Sequence, residues 1–145
     1  MNWESAKSFH GHLGPWLALG IKIGNTAIEK LEARPFFGIT VDVECPLAPP
    51  PSCLIDGLQW STGATYGKQN LHAVNAHEVK VTVRNKDTNR QIIFELKPEV
   101  PAKLTSLLNE MGDESATYEV WDIPSSDLFT YVLVQNAKEQ AINNA

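Results

Sequence analysis

Hydrophobic and polar positions change period several times along this chain, and each change marks an element. After Pro15 the apolar residues Leu17, Ile21, Ile28 and Leu31 recur at helical spacing, which predicts a helix from Pro15 to about Leu31 or Glu32 with Gly14 as its N-cap. Over residues 36–45 the period drops to two: Ile39, Val41 and Val43 alternate with Thr40, Asp42 and Glu44, a half-buried strand. The same alternation returns in Val79, Val81 and Val83 and, beyond the turn at 85–89, in Ile92, Phe94 and Leu96, so an antiparallel hairpin is expected. Shorter helices are predicted over 3–9, from Cys53 to about Trp60 behind Ser52 as N-cap, and from Pro101 through Leu104, Leu107, Leu108 and Met111 to a Gly112 C-cap. Residues 71–77 read as extended and 118–121 as a short strand. A last helix begins at Ser125 or Ser126, contains Leu128, Val132 and Gln135, and frays towards Asn144. The sum is one α+β domain over residues 1–145, a mainly antiparallel sheet of four or five strands with helices packed against it.

Two features interrupt this pattern. Gly20 and Gly24 lie four apart in the longest helix and each costs about 1 kcal/mol relative to Ala. Close packing of another helix, in the same chain or in a twofold partner, would offset the loss. Pro46, Pro49, Pro50 and Pro51 forbid regular structure and stiffen the approach to the helix that starts at Cys53.

Composition narrows the function classes. With 145 residues, 43% apolar and 20% charged, the chain suits one ordinary globular domain. A net charge of −5, a pI near 5.3 and the lack of a basic run argue against nucleic acid as a partner. No stretch approaches the roughly eighteen apolar residues of a membrane span, and the N-terminus lacks the basic start and apolar run of a signal peptide, so no membrane and a cytoplasmic location are expected. Cys45 and Cys53 are too few for a disulfide framework and fit a reducing compartment; a bridge between them would need the proline-rich segment to fold back.

Candidate chemistry sits in two places. In Phe9-His10-Gly11-His12-Leu13-Gly14-Pro15 the histidines are two apart. In a helix they would point roughly 200° apart, whereas in an extended segment both face one side and could reach one metal ion. Gly11, Gly14 and Pro15 favour the extended form. The second place runs from Cys53 to Asn70. Cys53 falls in the first turn of its helix, where free amides and the helix dipole favour a thiolate, and Asp56 follows on the same face. Gly57 leaves space beside them for a ligand. Gly63-Ala64-Thr65-Tyr66-Gly67-Lys68-Gln69 has one residue too few between its glycines for a phosphate loop, and Gln69 stands where a magnesium-binding hydroxyl is needed. Lys68 remains a candidate for holding an anionic ligand or the Asp56 carboxylate. His72 and His77 read as structural.

The two motifs, Phe9-His10-Gly11-His12-Leu13-Gly14-Pro15-Trp16-Leu17-Ala18-Leu19-Gly20 and Cys53-Leu54-Ile55-Asp56-Gly57-Leu58-Gln59 with Thr62-Gly63-Ala64-Thr65-Tyr66-Gly67-Lys68, together resemble the FmdE family of formylmethanofuran dehydrogenase proteins. The resemblance covers about a quarter of the chain. It implies an α+β core, a homodimer and a metal site, with His10, His12 and Cys53 as ligands and Asp56, Gln59, Thr62 and Lys68 as residues that orient them or hold a ligand. Many relatives carry cysteines where this chain has Gly14 and Ala64, so multi-thiol ligation is not implied here. The cysteine-rich zinc finger that follows the core in some members is absent from this sequence.

Three readings follow. In the first, His10, His12 and Cys53 bind one divalent transition metal, zinc before nickel or iron, and leave an open position for water or a small ligand, with Asp56 or Lys68 moving protons. In the second the protein is a non-catalytic accessory or metal-handling component of a molybdenum or tungsten oxidoreductase. In the third, without metal, a histidine activates Cys53 as a nucleophile.

Overall fold

A computed structural model describes residues 1–135. Its elements in order are α1 (Trp3–His10), α2 (Pro15–Leu31), β1 (Ile39–Cys45), α3 (Cys53–Thr62), β2 (Leu71–Asn75), β3 (Lys80–Asn85), β4 (Gln91–Leu96), α4 (Val100–Asp122) and β5 (Phe129–Val134), with short 3₁₀ turns at Phe36–Gly38 and Ser125–Asp127. The fold class is α+β, as the periodicity predicts. The sheet has the order β2-β1-β3-β4-β5. β1 and β2 run parallel with α3 as their crossover, and the other pairings are antiparallel.

The alternation in each strand decides which face meets the helices. Ile39, Val41, Val43 and Cys45 of β1, Val81 and Val83 of β3, and Ile92 and Phe94 of β4 are buried. The register puts Val41 beside Val83, Val83 beside Ile92, and Val81 beside Phe94, so these side chains form one apolar surface. Asp42, Lys80 and Glu95 stand exposed on the other face. α2 packs against α3, α4 and the strands β3 and β4: Trp16, Leu17, Ala18, Leu19, Ile21, Ile23, Ala27 and Leu31 are all buried, which accounts for a helix that is apolar on nearly every side. Gly20 and Gly24 of α2 face α3, Gly20 against Leu54 and Gly57 and Gly24 against Ser61 and Thr62, so the stripe is consumed by packing within the chain.

Two predicted elements differ. Residues 118–121 are helical, part of α4. That helix breaks at Gly112, whose φ of 79° and ψ of 174° are non-helical, and then resumes, burying Ala116, Thr117 and Val120 at one-turn spacing. The helix expected from Ser125 is a 3₁₀ turn followed by β5, and the part of that prediction beyond residue 135 lies outside the described residues. Leu128 and Val132 are four apart by coincidence. Pairing with β4 decides it: Phe129 is buried, Leu133 packs half-buried against the core and Tyr131 stays exposed, while Phe94 meets the rings of Phe129 at 5.4 Å and Tyr131 at 5.8 Å. Each such aromatic pair adds about 0.5–1.5 kcal/mol beyond its buried area.

Smaller corrections concern ends. β1 begins at Ile39 because Phe36–Gly38 is a 3₁₀ turn, and α3 continues to Thr62, where Gly63 with φ +77° closes it. No helix among the described residues is long and apolar enough to cross a membrane.

Candidate metal centre

α1 delivers the first histidine. Asn2 caps this helix, its side chain accepting from the Ser5 amide at 3.0 Å, and Trp3 anchors it by edge-on contacts with Tyr118 and Trp121 of α4. The expected extended His-x-His is therefore corrected: His10 is the last residue of α1, and Gly11 ends the helix with φ +103°, a left-handed conformation that glycine adopts freely. This turn swings His12 back towards His10, and the two imidazole centroids lie 4.7 Å apart. Helix and turn together achieve the shared side that an extended segment was expected to give.

α3 supplies the third donor. His10, His12 and Cys53 each present a ligand atom, all within 4.8 Å of one another. Around zinc, with bonds of about 2.0–2.3 Å, such atoms would stand roughly 3.5 Å apart, so small side-chain rotations suffice. His10 Nδ1 lies 2.6 Å from Asp56 Oδ2, and His12 Nδ1 lies 2.7 Å from the Leu13 carbonyl. With Nδ1–H donating to an oxygen in each case, both Nε2 atoms keep their lone pairs. His10 Nε2 is buried without any hydrogen-bond partner. A buried polar atom left unpaired costs about 1–3 kcal/mol, and a cation would remove that cost.

The electrostatics correct the expectation of a helix-start thiolate. Ser52 is helical and makes no side-chain cap, and the first amides of α3 are already taken: Cys53 N–H donates to the Pro50 carbonyl at 3.0 Å, Leu54 to Pro51 at 3.2 Å and Ile55 to Ser52 at 3.0 Å. None of these three amides is left free to face the sulfur. Burial pushes the Cys53 thiol above its ordinary range, and the charges of Asp56 and Asp113 push it further. Carboxylates that disfavour a bare thiolate attract a metal cation. Cys45, fully buried in the core, and Cys53 are both free.

The other predicted site residues are placed as follows. Gln59 Nε2 donates to Asp56 Oδ1 at 3.2 Å, while its Oε1 accepts from the Tyr66 amide at 3.1 Å, so Gln59 ties the loop after α3 to the His10 partner. Thr62 is buried, its hydroxyl donating to the Leu58 carbonyl at 2.6 Å and accepting from the Ala64 amide at 3.1 Å. Lys68 Nζ reaches Thr65 Oγ1 at 3.5 Å and lies 5.7 Å from the Phe36 ring and 5.9 Å from that of Phe37. The space beside Gly57 is filled by α2: an added methyl would lie 2.4 Å from the Leu17 carbonyl oxygen. His72 and His77 are exposed, away from the three donors. Asp113 was not singled out by the sequence. Its carboxylate comes within 3.6 Å of His12 Nδ1, and the only local hint is the glycine before it.

Comparison with known proteins matches residues 9–141 to the family described as "FmdE, Molybdenum formylmethanofuran dehydrogenase operon". The chain belongs to the FmdE family. A solved structure, that of a tungsten formylmethanofuran dehydrogenase FmdE-like protein from Syntrophus aciditrophicus, superimposes with a TM-score of 0.58 over 91% of this chain and 69% of that one, at 23% identity, and shares the fold. A relative from Archaeoglobus fulgidus, described as "Probable S-adenosyl-L-methionine-binding protein", is 39% identical over 89 residues, 57% of this chain. This FmdE-family chain spans 23% of that relative's length.

Proposed function

We propose that this FmdE-family protein binds one divalent transition metal, zinc before nickel or iron, through His10, His12 and Cys53. A position is left for a small ligand. The observation that carries the reading is the convergence of three donors, from the end of α1, the turn after it and the start of α3, with the Nε2 of His10 buried and unpartnered. Two nitrogens and a sulfur suit a borderline-soft cation, and three protein ligands match catalytic rather than structural zinc. When bound, such an ion would polarise a carbonyl or acidify a water. The chain's own residues hold the geometry: Asp56 fixes the ring of His10 and its tautomer, Gln59 fixes Asp56, and the Leu13 carbonyl does the same for His12.

The metal-free nucleophile is the weaker reading, because burial and two carboxylates oppose the thiolate it needs. Lys68 is proposed to meet an anionic ligand at the rim, and Thr62 to keep the loop after α3 in place. S-adenosyl-L-methionine, attributed to the archaeal relative, is the first small molecule to try, since its amino and carboxylate groups could chelate the open position. A homodimer and a cytoplasmic location belong to the same proposal. The first is supported by the family alone now that Gly20 and Gly24 are used within the chain, and the second by the two free thiols. An accessory, metal-handling role beside a molybdenum or tungsten oxidoreductase is favoured over catalysis if the ion exchanges rapidly.

Elemental analysis of untagged protein purified without refolding tests the proposal, alongside Cys53→Ser and His12→Ala. About one metal per chain is expected in the native protein and little in either variant. Zinc, nickel and iron all far below one per chain would overturn it.

A further inference from the structure

Both oxygens of Asp56 are engaged, one by His10 and one by Gln59. Lys68 is turned towards Thr65 and the rings of Phe36 and Phe37. The uncommitted charged group beside the cluster is Asp113, which neighbours His12 but stands outside the set of three donors that lie within 4.8 Å of one another. Its Oδ2 lies 3.6 Å from His12 Nδ1, too far for a hydrogen bond, and that nitrogen already faces the Leu13 carbonyl at 2.7 Å. No donor among the described residues hydrogen-bonds its carboxylate.

The backbone brings it there. Gly112 breaks α4 with φ 79° and ψ 174°, yet a methyl on Gly112 would meet nothing within 4 Å. The break is therefore not forced by crowding at Gly112. Its consequence is that the helix restarts at Asp113 beside His12.

We propose that Asp113 is the exchangeable fourth ligand of the metal held by His10, His12 and Cys53; this rests on the metal reading above. Charge supports it. Two neutral imidazoles, one thiolate and a divalent ion sum to +1, and one carboxylate brings the site to neutrality. The Asp113 side chain is 57% exposed, so it can turn inward to bond the ion and outward again without disturbing the core. An oxygen ligand completes the tetrahedral preference of zinc. With the ion bound, Asp113 would hold the position left by the other three donors and would turn back to solvent when a small molecule that outcompetes a carboxylate took its place.

Cobalt(II) is the probe. Wild type, Asp113→Ala, Asp113→Asn and Cys53→Ser are titrated with the ion, following the visible ligand-field bands and the near-ultraviolet sulfur-to-cobalt band, with circular dichroism as the check on folding. Asp113→Ala should keep the sulfur band, change the ligand-field bands and bind roughly tenfold more weakly, as loss of a supporting group at a metal site does. Added acetate should restore the wild-type bands in Asp113→Ala, and thiocyanate should bind that variant at lower concentration than wild type. Asp113→Ala and Asp113→Asn spectra and affinities identical to wild type would overturn the role of Asp113 while leaving the three-ligand site standing. A wild type that shows no sulfur-to-cobalt band and no saturable binding would overturn both.

Discussion

Gly20 of α2 and Gly57 of α3 meet backbone to backbone. A methyl on Gly20 would lie 2.2 Å from the Leu54 carbonyl oxygen, and one on Gly57 would lie 2.9 Å from the Gly20 Cα. Backbone atoms cannot rotate aside, so either substitution must push the helices apart. Because His12 leads into α2 and Cys53 opens α3, this crossing sets the distance between two of the three donors. Gly57→Ala should cost about 3 kcal/mol, seen as a large drop in thermal midpoint by circular dichroism, and should also weaken metal binding. A variant as stable as wild type would show that the helices have slack at this crossing.

The sequence made the three donors visible, but for partly different reasons than the structure gives. Residue types and spacing made His10, His12 and Cys53 candidates, though structural histidines and a small core thiol explain them as readily, and the resemblance to the FmdE family joined them as one ligand set. The backbone path was less legible: Gly11 makes a left-handed turn after a helix, which periodicity does not encode. Strands β1, β3 and β4 were readable because one face is buried and the other wet, giving clean alternation. β5 was not, because its outward residues Thr130 and Val132 are neither strongly polar nor spaced against a helix, and its pairing with β4 is a tertiary fact. Asp113 had almost no sequence signal, being one acid among several on a mostly exposed helix, marked only by the glycine before it.

Asp56 is expected to act through His10. In Asp56→Ala the His10 ring loses its 2.6 Å partner and its preferred tautomer. Affinity for zinc, measured by competition with a chromophoric chelator, should fall roughly 10–100-fold. The thermal midpoint should move little, because Asp56 is 38% exposed and its pairing is discounted by solvent. Unchanged affinity would remove Asp56 from the site.

Lys22 predicts a purely structural effect. Its ammonium, partly buried, donates to the carbonyls of Val120 at 3.3 Å, Trp121 at 3.0 Å and Ile123, tying the last turn of α4 to α2. Burial pulls its pKa below the ordinary lysine value, and the charge of Asp122 pulls it partly back. Lys22→Met keeps the stem and removes the donors, leaving helix-end carbonyls unpaired. A loss of about 1–3 kcal/mol in denaturant unfolding is expected, with metal content unaffected. A loss of metal would overturn this purely structural role and mean that the last turn of α4 is needed to hold the site.

The thiol gives the pH dependence. In metal-free protein burial and the charges of Asp56 and Asp113 hold the Cys53 thiol protonated beyond the ordinary cysteine midpoint of about 8.5. Alkylation by iodoacetamide should therefore be slow at pH 7 and rise only above that midpoint, and Asp113→Asn should shift the profile towards neutrality. Because the unfolded chain releases this proton first, the contribution to stability is present below about pH 8.5 and is lost as pH rises through the higher folded value. Metal loading acts in the opposite sense. The ion needs a thiolate and neutral imidazoles, so affinity should fall as pH drops, and bound metal should block alkylation until a chelator is added. A metal-free profile with its midpoint below pH 8 would contradict this account of the Cys53 environment and return the thiol-nucleophile reading to first place.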